Sequence, residues 1–233
     1  MAISSKDVKF YPLGDTAVIL QFGESLSHQT QKYIFSISNY LEEYSFEGLV
    51  EHVPAYTSVT LFYDPLVVSY NEIIQNLEEM LADLTVAEVA EEVQLINIPV
   101  LYGGEWGSDL ETVASHSKIS IEEVIERHTA VEYLVNMIGF APGFPYLSGM
   151  DEALETPRRT HPRAMVPAGS VGIAGIQTGV YPIATPGGWQ IIGRSPLKLF
   201  DLARENPSLL KAGNRVRFVP ITETDFNNTM YGN

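Results

Sequence analysis

Apolar positions follow two different periods along the first hundred residues. DTAVILQF, residues 15 to 22, is a run of β-branched and apolar residues that predicts a strand. Tyr33, Ile34, Ile37, Tyr40, Leu41 and Tyr44 then recur at spacings of three and four, one apolar face of a helix. Residues 48 to 53 and 57 to 63 predict two short strands, with Pro54 and Ala55 near the turn, and TSVTLFY alternates well. Ser69 and Glu72 form a capping box, in which each side chain reaches the other's backbone amide. Ile73, Ile74, Leu77, Leu81 and Leu84 follow on one helical face. VQLINIPV, residues 93 to 100, predicts a further strand. The order β-α-β-β-α-β is the split βαβ, or ferredoxin-like, unit. Its end is expected between residues 85 and 95, where the acidic TVAEVAEEV reads as a linker or a helix tail.

Two more capping boxes follow, Ser108 with Glu111 and Ser120 with Glu123, and predict short helices over 109 to 117 and 120 to 128. The texture then changes. Residues 139 to 193 hold 10 of the 18 glycines and 7 of the 14 prolines. Short apolar runs lie between them: MVPAGSVGIAG, GVYPIA, WQIIG and later RVRFVPI. Many short strands with regular turn signals predict an all-β barrel or sandwich. GFAPGFPYL, residues 139 to 147, combines turn residues with large aromatic ones, and TPGGWQIIGR, residues 185 to 194, does so again.

Charge sharpens this division. The net charge is −15, yet residues 1 to 130 carry 21 Asp/Glu against 5 Lys/Arg, while the remainder carries 8 against 9. So acidic a chain argues against nucleic acid as a partner. Cysteine is absent, which removes disulfides, thiolate catalysis and Cys-based metal sites. MAISSKDVKF lacks the apolar core of a signal peptide, and no window approaches 18 uninterrupted apolar residues, so a cytoplasmic protein without membrane association is expected. Phosphate-loop, dinucleotide, zincin and serine-hydrolase motifs are missing. The five histidines at 28, 52, 116, 128 and 161 have no metal-pair spacing in one predicted helix, so no metal site is expected.

The candidate chemistry lies in TPRRTHPRAMVPAGSVGIAGIQTG, residues 156 to 179. Arg158, Arg159, His161 and Arg163 crowd between prolines, which lower the entropy lost in holding long side chains. Arginine is the natural fork for a carboxylate, carbamate or phosphate. Two readings stay open: an anion site, or ion pairs with the acidic front domain. Ser170, Gln177 and Thr178 could add side-chain hydrogen bonds, and the glycines could let backbone amides approach a ligand or simply make tight barrel turns. Trp189 is a core anchor or a pocket wall.

HTAVEYLVNMIGFAPGFPYL, TPRRTHPRAMVPAGSVGIAGIQTGVYPIATPGGWQIIGRSPLKLFD and VRFVPI together resemble the hallmark run of one family. It contains the B subunit of bacterial 5-oxoprolinase, subunit 1 of allophanate hydrolase, the sporulation-kinase inhibitor and the matching half of the urea carboxylase carboxyltransferase domain. The resemblance is dense over residues 128 to 220 and covers the front only in outline. It implies an α+β chain: an N-terminal ferredoxin-like α/β domain over 1–90 and a C-terminal cyclophilin-like β-barrel over 91–233. It also implies a barrel groove of Gly143, Phe144, Pro145, Tyr146, Pro167, Ser170, Thr178, Pro186, Gly187, Trp189 and Arg194. Arg158, Arg163 and Gln177 are its best candidates for catalysis. The implied activity is that of a non-autonomous subunit in ATP-dependent opening of 5-oxoproline to glutamate. ATP with Mg is expected to be used by the whole complex, and no cofactor by this chain alone. The implied partners are the A subunit of 5-oxoprolinase and its homologous, barrel-bearing C subunit. Two alternatives follow from the same resemblance: inhibition of a sensor histidine kinase, or an allophanate- or urea-linked carboxyl-transfer role.

Overall fold

The computed structural model describes residues 8–24, 27–84 and 94–231. The acidic stretch 85–93, where the end of the first domain is expected, lies outside them. The chain divides into two compact units, Met1–Glu92 and Val93–Asn233.

The first unit contains β1 (Lys9–Pro12), β2 (Ala17–Gln21), α1 (His28–Glu43), β3 (Leu49–Pro54), β4 (Ser58–Tyr63) and α2 (Tyr70–Asp83). Its antiparallel sheet has the order β1-β2-β4-β3. Register places Val18 opposite Leu61 and Leu20 opposite Val59, and all four are fully buried. The predicted helical stripes meet them: Ile34, Ile37 and Leu41 from α1, and Ile73, Leu77 and Leu81 from α2. Ser69 caps α2 through the full reciprocal capping box.

One strand moves. The strand order counted VQLINIPV with this sheet, whereas the resemblance set the boundary at residue 90, ahead of it; β1 holds that edge, paired with β2. The strand instead becomes β5 (Leu95–Tyr102) of the second unit. It runs parallel to β13 (Arg215–Pro220), with Ile98 opposite Phe218 and Val100 opposite Pro220. Alternate apolar residues suit either place. Ile98 and Val100 find core partners in the barrel.

The second unit also carries α3 (Leu110–Ser117), α4 (Ile121–Thr129), β6 (Tyr133–Ile138), β7 (Pro145–Ser148), β8 (Arg163–Val166), β9 (Ser170–Ala174), β10 (Gln177–Val180), β11 (Thr185–Gly187), β12 (Gln190–Arg194) and α5 (Glu223–Tyr231). Seven strands close a barrel in the order β10-β7-β6-β13-β5-β12-β9, and β8 with β11 forms a separate ribbon. Closure pairs the strand edges that an open sheet would leave bare. Ser120 caps α4 as predicted, accepting from the Glu123 amide. Ser108 does not cap α3: Asp109 holds the N-cap position without a side-chain cap bond, because both side chains face arginines of the ribbon.

His128, at the end of α4, is fully buried within the barrel unit. Thr178 donates its hydroxyl to the Gly172 carbonyl. It therefore accepts from His128 Nε2–H at 2.9 Å, which leaves Nδ1 to accept from the Tyr102 hydroxyl at 2.8 Å. The ring stacks on Phe218 at 4.5 Å. Burial pushes its pKa down from 6.5 to about 3. The folded chain thus refuses a proton that the unfolded chain accepts below pH 6.5. This histidine's contribution to stability is complete above pH 6.5 and lost as pH falls toward 3. In urea unfolding, the stability of wild type relative to His128→Gln should fall by about 1.4 kcal/mol per pH unit between those limits. A pH-independent difference would show that His128 titrates alike in both states.

Candidate functional site

Beside the main barrel core lies a smaller apolar cluster of Phe144, Val166, Ala174, Tyr181, Trp189 and Ile191, flanked by Ala141 and Tyr146. Phe144 is its centre. Its ring meets Tyr146, Tyr181 and Trp189 at 5.1, 5.3 and 5.3 Å, all edge to face. That geometry sets positive ring edges against negative faces. GFAPGFPYL is the turn that delivers Phe144: the Phe144 amide donates to Ala141 O, and Gly139 N to Phe144 O. Gly143 adopts φ +79°, the left-handed region where a side chain is strained. Phe140 sits there too, at φ 66°, with its ring 63% exposed at the cluster's rim. A bulky residue held in that region marks local strain of about 1–3 kcal/mol.

The second aromatic stretch follows the same logic. A Cβ on Gly187 would overlap the Tyr181 hydroxyl and lie 2.8 Å from its ring carbons, so only glycine lets the ribbon lie this close. Burial pushes the Tyr181 phenol up, partly offset by the Trp189 amide and by the charges of Arg158 and Arg163.

The arginines are organised by Asp109, which is nearly buried. Arg163 grips it with Nη1 on Oδ2 and Nη2 on Oδ1, both at 2.8 Å. Arg159 Nη1 donates to Oδ1 at 2.7 Å. The Ile191 amide donates to Oδ2 at 2.7 Å, and Ser108 Oγ accepts from Arg163 Nη2 at 2.9 Å. Burial pushes the Asp109 carboxyl up. The Arg163 and Ile191 hydrogen bonds and the two positive charges outweigh this and hold it below the usual carboxylate range. The carboxylate thus ties the ribbon to β12 and the start of α3.

This corrects two expectations. Arg163 is no free anion holder, because its terminal nitrogens are engaged by Asp109 and Ser108. The acidic partner of the ribbon arginines lies in the second unit, not in the front domain. Arg158 differs: it is exposed and borders a hollow of about 590 Å³. His161 is also exposed.

The remaining predicted residues separate into buried and open sets. Thr178 is wholly buried and engaged by His128 and Gly172, and Ser170 is 2% exposed. Both side chains are closed off from solvent. Arg194 donates Nε to Ala168 O at 2.8 Å and lies over Trp106, 5.1 Å from the ring centre. Pro145 is buried at the start of β7, Gln177 is half-buried at the start of β10, and Pro167 and Pro186 are exposed. Asp109 and Tyr181 are the residues that sequence reasoning missed. Asp109 carries no local signal, because its arginine partners lie 50 and 54 positions away. Among the described residues no group of three His, Asp or Glu is placed to hold a metal ion, and no helix is long and apolar enough to cross a membrane.

The family model for the carboxyltransferase domain, subdomains C and D, matches residues 8–210. The chain belongs to this carboxyltransferase family. The Bacillus subtilis (strain 168) protein named as the B subunit of 5-oxoprolinase is 48% identical over 225 residues, covering 92% of this chain and 93% of that one. The solved structure of TTHA0988 superposes with a TM-score of 0.79 at 38% identity, over 88% of this chain. The chain spans only 40% of TTHA0988. The Kluyveromyces lactis urea amidolyase, at 19% identity, shares the fold over 97% of this chain and 16% of its own, with a TM-score of 0.75.

In this carboxyltransferase subdomain the two arginine types should part on mutation. Asp109→Ala strands two guanidinium groups against a half-closed surface and should cost about 3–5 kcal/mol in urea unfolding. Arg158→Ala, on the open side, should stay within about 0.5 kcal/mol of wild type. Equal midpoints for Asp109→Ala and wild type would remove Asp109 from its central place.

Proposed function

We propose that this chain is the B subunit of a bacterial ATP-dependent 5-oxoprolinase, working with two partner subunits and inactive alone. The observation that carries the proposal is the 48% identity to the Bacillus subtilis protein over nearly the full length of both chains. TTHA0988 supports the need for further protein. There the equivalent of this chain is part of a polypeptide more than twice as long.

The chemistry fits a shared site. A lactam that closes spontaneously must be activated before it opens. The amide oxygen attacks the γ-phosphorus of ATP and ADP leaves. Water adds to the activated carbon, the ring C–N bond breaks, and the nitrogen takes up protons to become an ammonium. A second water hydrolyses the resulting acyl phosphate to phosphate and the side-chain carboxylate of glutamate. The chain has no phosphate-loop motif, so the nucleotide and its Mg belong to a partner in this proposal. Arg158 supplies an uncommitted cation for the substrate carboxylate, and the Asp109-bound arginines hold the ribbon beside it. Arg163 is then a positioning residue.

The test is 5-oxoproline-dependent ATP hydrolysis by the assembled subunits, with and without this chain. Activity should require the chain, and Arg158→Ala should lower turnover at limiting 5-oxoproline about tenfold or more, the worth of one lost charged contact, while the variant keeps its fold and assembles. Assembly without 5-oxoproline-dependent hydrolysis would sink the substrate assignment. Undiminished turnover in Arg158→Ala would sink the role of Arg158.

A further inference from the structure

Seven of the eight arginines donate to, or pair with, a carbonyl or carboxylate of the chain. Arg158 alone has no such partner among the described residues. It faces the hollow of about 590 Å³ together with His116, Ser117, Glu152 and Glu155. The hollow is drawn from three separate places: the end of α3, the short 3-10 helix Glu152–Leu154, and the hairpin at Ala174 and Gly175. Opposite charges share its wall, yet Arg158 forms no ion pair with Glu152 or Glu155. By contrast, Arg127, Arg159 and Arg163 are all paired at 2.7 or 2.8 Å. Complementary charges held apart across a small-molecule-sized space fit a ligand that carries both signs.

We propose that this hollow binds a free zwitterionic α-amino acid, its carboxylate on Arg158 and its ammonium toward Glu152 and Glu155. This rests on the reading of the chain as part of a 5-oxoprolinase, which makes L-glutamate the ligand. The distinction from substrate is chemical. The ring nitrogen of 5-oxoproline is an uncharged amide, and the cationic amine exists only after the ring opens. Arg158 serves the carboxylate of both molecules, whereas the two glutamates favour the opened one. The hollow therefore holds product more tightly than substrate, and glutamate competes with 5-oxoproline for Arg158.

Isothermal titration of the full chain decides this, with L-glutamate, 5-oxoproline and N-acetyl-L-glutamate as probes. The acetylated probe keeps both carboxylates and lacks the cation. L-glutamate should bind about tenfold or more tightly than either of the other two, the worth of one charged contact. Glu152→Gln combined with Glu155→Gln should weaken L-glutamate by a similar factor and leave N-acetyl-L-glutamate unchanged. Arg158→Ala should weaken all three, and circular dichroism should show each variant folded. Equal affinity for L-glutamate and its acetylated form, or no heat from L-glutamate at millimolar concentration, overturns the proposal. The two readings fail separately. Selective L-glutamate binding in a chain whose complex does not hydrolyse 5-oxoproline keeps the amino-acid site and rejects the substrate. Turnover without selective binding does the reverse.

Discussion

Asp109 is the constraint on which the ribbon side of the barrel depends. A carboxylate with 4% of its side chain exposed cannot stay ionised without partners, because burial disfavours the charge. Two arginines and one backbone amide supply them, from segments 50, 54 and 82 residues away in sequence. The ribbon β8–β11 is short, with two paired positions and a register shift between them. A two-stranded ribbon of that length is not stable by itself. Its position follows from the Asp109 bonds on one side and from the aromatic cluster under Val166 on the other.

The aromatic cluster explains why two stiff Gly/Pro segments lie some forty residues apart. Phe144 and Trp189 each come from one of them, and their rings meet edge to face at 5.3 Å. The cluster also requires backbone to approach very closely. Gly179 shows this, since a Cβ there would lie 2.8 Å from Pro145 O and 3.1 Å from the Trp189 ring. Glycine and proline are thus packing residues here as much as turn residues, and they set a floor beside the one arginine left unpaired among the described residues.

The buried His128 works differently. Tyr102, Thr178 and Phe218 saturate both ring nitrogens and one face. A histidine so enclosed is core, and Thr178, which the resemblance suggested for the groove, is its structural partner. On the outer surface, by contrast, Arg158, Phe140 and the hollow meet solvent.

Many of the elements were legible in the chain, though not β1 or α5. The stripes of α1 and α2, the Ser69 and Ser120 caps and the strand runs are local signals, read within one or two turns of backbone. The change to Gly/Pro/aromatic texture likewise marked the short strands and turns of the second unit. Strand destination was not local: β5 carries the same alternation whether it completes the first sheet or the barrel, and only its distant partners β12 and β13 select the barrel. The same holds for the arginines. Arg158, Arg159 and Arg163 look alike in sequence, and pairing with a distant carboxylate is what separates two structural guanidinium groups from one free one. Propensity, capping and turn chemistry act between neighbours along the chain and so were determined by sequence alone. Burial and charge pairing act between neighbours in space, and only the closed barrel decides which residues those are.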